Sequence, residues 1–221
     1  SWFRTPPTLG DVCDIYLSSE KNSQDSLYAA ISNLSEFEIF EPDSSKTQSL
    51  YSLVEGVVVI NLSGYDESIQ NLIVAITLDA FYTQMQRHGH SRIKGQMREI
   101  KKMILVDEAD NFLSKNFTSI RKILKEGREF GVGTILSTQF LNHFATSENE
   151  YSNYILTWVI HRVNEIKTKE VDSLFSLETK QQNENLIRTI KGLEKHQSIV
   201  NLAGSEPILI KDKAFWELLK G

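Results

Sequence analysis

Two rhythms of apolar residues run through this chain. From Gly56 onward, short apolar stretches bounded by turn residues recur at 57–62, 103–106, 134–136, 154–160, 198–202 and 207–210. The pattern predicts strands there, the 103–106 run buried on both faces of a parallel sheet. The last two flank a Gly-containing turn at Gly204 and read as a hairpin. Between the strands the period lengthens to that of a helix. Ile69, Leu72, Ile73, Ile76 and Ala80 share one face of a helix over 67–87, and Phe81, Tyr82 and Met85 extend it. Phe117, Ile120, Ile123 and Leu124 mark another, capped by Asn116 or Thr118. Ile166, Val171 and Leu174 mark a third. Residues 185–193 form a fourth, through Leu186, Ile187 and Ile190, which Gly192 ends. Phe215, Trp216 and Leu219 close the chain with a fifth. Before Gly56 the pattern is mostly helical. One helix follows Asp11 through Val12, Ile15, Tyr16 and Leu17; a second follows Ser23 or Asp25 through Leu27, Ile31 and Leu34; a third follows Ser44 or Ser45 through Leu50, Leu53 and Val54. Residues 37–40 fit a short edge strand stopped by Pro42. The pattern therefore divides the chain into a helical segment, 1–55, and an α/β part, 56–221.

Chemistry concentrates where the 103–106 run meets acids: Met103-Ile104-Leu105-Val106-Asp107-Glu108-Ala109-Asp110. Open α/β sheets place ligands at the carboxyl ends of their strands. This is the Walker B pattern of a P-loop nucleotidase. In that chemistry Asp107 holds Mg²⁺ through its water shell, and Glu108 orients or deprotonates a water. The competing reading is a buried strand followed by an acidic helix N-terminus, which the helix dipole favours. Further on comes Gly127-Arg128-Glu129-Phe130-Gly131-Val132-Gly133-Thr134-Ile135-Leu136-Ser137-Thr138-Gln139: a helix end, a glycine-rich turn and a second strand with a polar tip. The Gln139 amide can donate to a phosphate and accept from water; it can equally close a strand.

Together these two segments resemble the HerA/FtsK group of hexameric DNA-pumping ATPases, which includes the type IV secretion ATPases. Within it they look most like the ATPase of phosphorothioation-dependent DNA restriction. The resemblance covers most of the chain from about Val57. It implies an α/β fold with a three-layer RecA-like (P-loop NTPase) core, a mostly parallel sheet and a helical N-terminal part that is the tail of a helical insertion. It implies ATP and Mg²⁺ as cofactors, a DNA substrate, a homo-oligomeric ring and other restriction-system proteins as partners. Glu108 becomes the catalytic base, Gln139 the γ-phosphate sensor and Arg128 a finger reaching a neighbour's nucleotide, unless Arg128 is an ordinary C-terminal cation favoured by the dipole. Arg162, just past the 154–160 strand, falls at the ligand edge as a nucleotide or subunit contact.

One departure is large. No Gly-x-x-x-x-Gly-Lys-Ser/Thr loop occurs anywhere. The backbone cradle, the lysine and the hydroxyl that hold phosphates and Mg²⁺ are missing from these residues. The expectation is a C-terminal portion of a larger motor, lacking the Walker A strand and unable to hydrolyse ATP alone. A hydrolysis-inactive, NTPase-like module for assembly is the alternative. In the resembling fold the missing strand lies between the 134–137 and 155–160 strands. The chain must close that gap by direct pairing, fill it with residues 37–40, or pair with another copy; direct closure is the expectation.

Composition adds limits. Of 221 residues, 40% are hydrophobic and 24% charged, enough for a globular core. Lys and Arg number 24 against 29 Asp and Glu, a net charge of −5, which excludes a uniformly basic duplex-coating protein. One stretch opposes this balance: Arg87, Arg92, Lys94, Arg98, Lys101 and Lys102, with Glu99 the one acid among them and His88 and His90 nearby. It is either a solvated loop or a phosphate-tracking DNA patch. No cysteine supports the histidines as a metal site. The acids cluster at one strand–helix junction, which disfavours a nuclease. Cys13 is the single cysteine, a small core residue that forms no intrachain disulfide, and this fits a reducing, cytoplasmic setting. No apolar run reaches membrane-spanning length.

Overall fold

A computed structural model of the chain describes residues 8–18, 26–36, 41, 44–46, 48–113, 117–140, 144, 151–175, 177, 179–202 and 205–218. They fall into two units, 1–84 and 85–221. In the first, α1 (Leu9–Leu17) opens on a capping box in which Thr8 and Asp11 satisfy each other's backbone N–H groups. It meets α2 (Ser26–Glu36), with Cys13 and Ile31 both buried. The helix expected after Ser44 shrinks to a 3₁₀ turn, Ser44–Lys46, and α3 (Leu50–Leu53). The Gln84 side chain accepts hydrogen bonds from Tyr51 N (2.6 Å) and Ser49 Oγ (2.9 Å), tying α3 to the long helix α4 (Glu67–His88). Asp66 caps α4 by accepting from the Ser68 and Ile69 amides. The expected stripe on α4 is largely kept: Ile69, Phe81, Tyr82 and Met85 are buried and Leu72, Ile73 and Ala80 half-buried, while Ile76 is exposed and Leu78, outside the stripe, is buried. The strand expected at 37–40, the caps Ser23, Asp25 and Asn116, and the Gly204 turn lie outside the described residues.

In the second unit, β1 (Ile93–Lys94) and β2 (Met97–Arg98) form an antiparallel hairpin inside the basic stretch. Next, β3 (Lys102–Val106) leads through the short α5 (Asp110–Leu113) and then α6 (Thr118–Phe130) to β4 (Val132–Leu136). β3 and β4 pair in parallel, Met103 opposite Gly133 and Leu105 opposite Ile135. The crossover helix α6 starts after Phe117 with no side-chain cap and buries Ile120, Ile123 and Gly127. Gly127 allows a close approach, since a Cβ there would lie 3.0 Å from the Val132 carbonyl oxygen.

The remainder is antiparallel. A 3₁₀ turn, Tyr151–Tyr154, precedes β5 (Thr157–Ile160), shorter than its apolar run. After α7 (Thr168–Phe175) and α8 (Lys180–Lys191) come β6 (Gln197–Leu202), β7 (Ile208–Lys211) and α9 (Phe215–Leu218). The strand order is β5-β6-β7, and β6–β7 is the expected hairpin. The fold is thus mixed α/β with one parallel pair among the described strands, in place of one mostly parallel sheet.

Three expectations fail for one reason, the lack of a partner among the described residues. Residues 57–62 form no strand, and Val57 is 96% and Val59 83% exposed. β3 is covered on one face only, leaving Met103, Leu105 and Ile135 of β4 exposed on the other. The gap is not closed either: β5 pairs with β6, and among the described residues no strand joins it to β4. An apolar run becomes a strand only where another backbone meets its N–H and C=O groups. No helix among the described residues is long and apolar enough to cross a membrane.

Candidate functional site

The carboxyl end of the β3–β4 pair is built as a locked corner. The Val106 carbonyl accepts from Ser137 N (2.9 Å), and the Ser137 carbonyl accepts from Ala109 N (2.8 Å), so the ladder runs one step past both strands. Between those bonds the chain turns through Asp107 and Glu108, both exposed. Ala109 is fully buried, and its carbonyl accepts from Phe112 and Leu113, starting α5. Thr138 Oγ1 donates to Asp110 Oδ1 (3.3 Å), tying the tip of β4 to the same corner. Parallel strands lie about 4.8 Å apart, so the exposed Gln139, one residue beyond Thr138, belongs to the neighbouring tip.

Glu108 has φ +49°, the left-handed region. For a residue with a Cβ this costs about 1–2 kcal/mol, and Glu lacks the short side chain that helps Asn or Asp there. The strain persists because the flanking bonds from Ala109 N to Ser137 and from Asn111 N to Glu108 O (3.1 Å) over-determine the turn. Such strain gathers at functional sites. Nothing in the residue pattern signals it.

Among the described residues no group of three or more His, Cys, Asp or Glu is placed to hold a metal. A cation at Asp107 would have waters and phosphate oxygens available as further ligands. Mg²⁺ is bound in that way, through one or two carboxylates plus a substrate's phosphates. Two exposed acids at a strand's carboxyl end fit that requirement.

The other expected residues stand apart from this corner. Arg128 lies exposed in the last turn of α6, at the amino end of β4. β4 is five residues long, so Arg128 is roughly 13 Å or more from Asp107 in the same chain. Arg162 is exposed beyond β5, in the separate antiparallel sheet, and strand pairing does not bring it to Asp107.

The basic stretch splits in use. The Arg98 guanidinium donates to the carbonyls of Ser91 (3.2 Å) and Glu129 (3.3 Å), a structural staple. Lys94 pairs with Glu99 at 3.0 Å. The Glu99 carboxyl is held below its usual range, chiefly by Lys94 and then by Arg92 and Lys101. Arg87, Arg92 and Lys101 are exposed, while Lys102 is half-buried as the first residue of β3. The stretch is fastened to the C-terminus of α6: Ser91 N donates to Glu129 O (2.9 Å), and Lys101 N to Gly131 O (2.7 Å). The His90 ring stacks on Phe130 at 4.9 Å. The signal for the hairpin within it was Gly95, whose φ of +64° makes the turn.

No family model matches the chain. Over 180 residues it is 26% identical to the DNA double-strand break repair helicase HerA of Sulfurisphaera tokodaii, a match covering 71% of this chain and 34% of that protein. The chain thus spans about a third of the length of this relative. Its fold is similar to that of VirB4 of Thermoanaerobacter pseudethanolicus, with a TM-score of 0.50 and 15% identity over 71% of this chain and 40% of the other. The second likeness concerns fold alone, and it agrees with a mixed α/β core containing a parallel pair.

Proposed function

We propose that this chain is part of the motor core of a HerA/FtsK-type P-loop ATPase that acts on DNA. The observation that carries the reading is the strained Glu108 turn, fastened to the tip of β4 and presenting two exposed carboxylates at the carboxyl end of a parallel pair. The sequence similarity to a DNA repair helicase supports it. ATP with Mg²⁺ supplies the phosphoanhydride and the charge neutralisation. Asp107 holds the ion's water shell, and Glu108 takes the proton from, or orients, the attacking water. Gln139 donates to the γ-phosphate. Arg128, remote from its own Asp107, serves a neighbouring copy in a ring, and Arg162 contacts nucleotide or subunit.

The finer proposals follow from the resemblance. The described sheets belong to a three-layer RecA-like core that lacks its Walker A strand here. Residues 1–55 are the tail of a helical insertion, and 56–221 are the C-terminal part of the core. The parent acts in the cytoplasm, in phosphorothioation-dependent restriction, as a DptH-type ATPase with other proteins of that system. The second reading, a hydrolysis-inactive assembly module, is favoured by one fact: the sequence holds no phosphate-binding loop.

DNA-stimulated phosphate release by the full-length gene product decides between them. The first reading expects turnover that falls about a hundredfold or more in Asp107→Ala, and none from the 221-residue chain alone. ATP binding without turnover in the wild type would support the second.

A further inference from the structure

We propose that the β1–β2 hairpin is a wedge that enters DNA at a duplex end or fork and packs Ile93 and Met97 against unstacked bases. The inference rests on the DNA reading above and assigns this element a separate task. Ile93 is 62% and Met97 78% exposed. Opposed residues of an antiparallel pair share a face and successive residues alternate. Ile93 pairs with Arg98 and Lys94 with Met97, so each face of the hairpin carries one apolar residue. A hairpin that lay flat on a partner would gather its apolar residues on one face. One with an apolar residue on each face suits insertion between two apolar surfaces, as Ile and Met do when they part base steps. Arg92, Lys94, Arg98 and Lys101 stand against two carboxylates at the base of the hairpin, Glu99 and the His90-paired Glu129, and leave it positive in a chain of net charge −5. The exposed Lys94–Glu99 pair is weak and screened, so Lys94 can exchange its partner for a phosphate.

A wedge must also resist load. The hairpin is joined to the end of α6 by Ser91 N to Glu129 O and by the Arg98 guanidinium, and its exit strand by Lys101 N to Gly131 O. Gly95-Gln96, a polar two-residue turn, forms the tip, which argues against immersion in hydrocarbon, where every backbone group must be satisfied internally.

The test uses the 221-residue chain and fluorescein-labelled DNA: a single strand, a blunt duplex and a fork with 2-aminopurine at the junction. At low salt we expect binding of all three and about a threefold rise in 2-aminopurine emission on the fork. Ile93→Ser/Met97→Ser should abolish the rise and weaken fork binding about tenfold, leaving single-strand affinity within about twofold. Arg92→Ala/Lys101→Ala should weaken all three and lower the salt slope by about 2. Circular dichroism checks that these exposed substitutions leave the fold intact. DNA binding with an unchanged 2-aminopurine signal overturns the wedge and spares the DNA reading; no DNA binding at low salt overturns the wedge, and the same result from the full-length gene product overturns the DNA reading as well. Binding to anionic phosphatidylserine vesicles but not to DNA, or self-association lost in the serine variant, overturns the wedge in favour of those surfaces.

Discussion

The two ends of the β3–β4 pair are built on opposite terms. At the carboxyl end, the backbone is strained and the carboxylates of Asp107 and Glu108 stand exposed. At the amino end, the left-handed position is Gly131, where a Cβ would lie 2.5 Å from the Glu99 carbonyl oxygen, and the cations are partly consumed in holding the structure. One end holds strain at a residue with a side chain, Glu108, which the proposed reading explains by a task for that carboxylate. The other places a glycine at the same kind of position and gives its side chains to packing. On the proposed reading the acidic corner is the chemical end, and the basic hairpin, fastened to the end of α6, is the handle.

The largest expected effect falls at the handle. Gly131→Ala combines a positive φ of +76° with contacts of 2.5 and 2.7 Å that no flexible side chain can relieve. We expect a loss of about 3 kcal/mol or more, read as a fall in Tm of roughly 10 °C. An unchanged Tm would mean that the two ends are not held differently. Arg98→Ala should cost less, about 1 kcal/mol, because a half-exposed guanidinium loses two carbonyl partners; faster amide exchange at Ser91 and Lys101 would confirm that the staple has opened. Glu108→Gly should go the other way. Releasing the left-handed strain, less the added chain entropy, stabilises the protein by about 0.5 kcal/mol in a denaturant titration. Destabilisation would show that the turn is not strained. The smallest effect is in titration. Glu99 is depressed in the folded chain, so its contribution is present above the ordinary carboxylate range and is lost as pH falls through the folded value. Its carboxyl resonance should titrate below the usual range and return toward it in Lys94→Ala.

Legibility from sequence followed the kind of interaction involved. Local periodicity marked α6, β3, β4 and the β6–β7 hairpin, because those patterns are satisfied by near neighbours. α8 began five residues earlier than its apolar stripe, on a capping box of Thr179 and Gln182 that was present to be read. The stretch at 57–62 misled because β-branched composition reports a fit to a pleated surface, and no such surface meets it here. The acids and Gln139 were expected at a strand end and stand there; the Glu108 backbone and the β1–β2 hairpin were not foreseen. Strands of two residues carry too little periodicity to rise above a charge run.

The central claim is that Glu108 performs chemistry and is not merely an acid at the start of α5. Phosphate release by the full-length gene product, compared between wild type and Glu108→Gln with ATP affinity measured alongside, tests this most directly. The amide keeps the shape and loses the base. The account predicts a loss of turnover of about a hundredfold or more with ATP affinity within about twofold. Near-normal turnover in Glu108→Gln would contradict it and leave Glu108 a capping acid only.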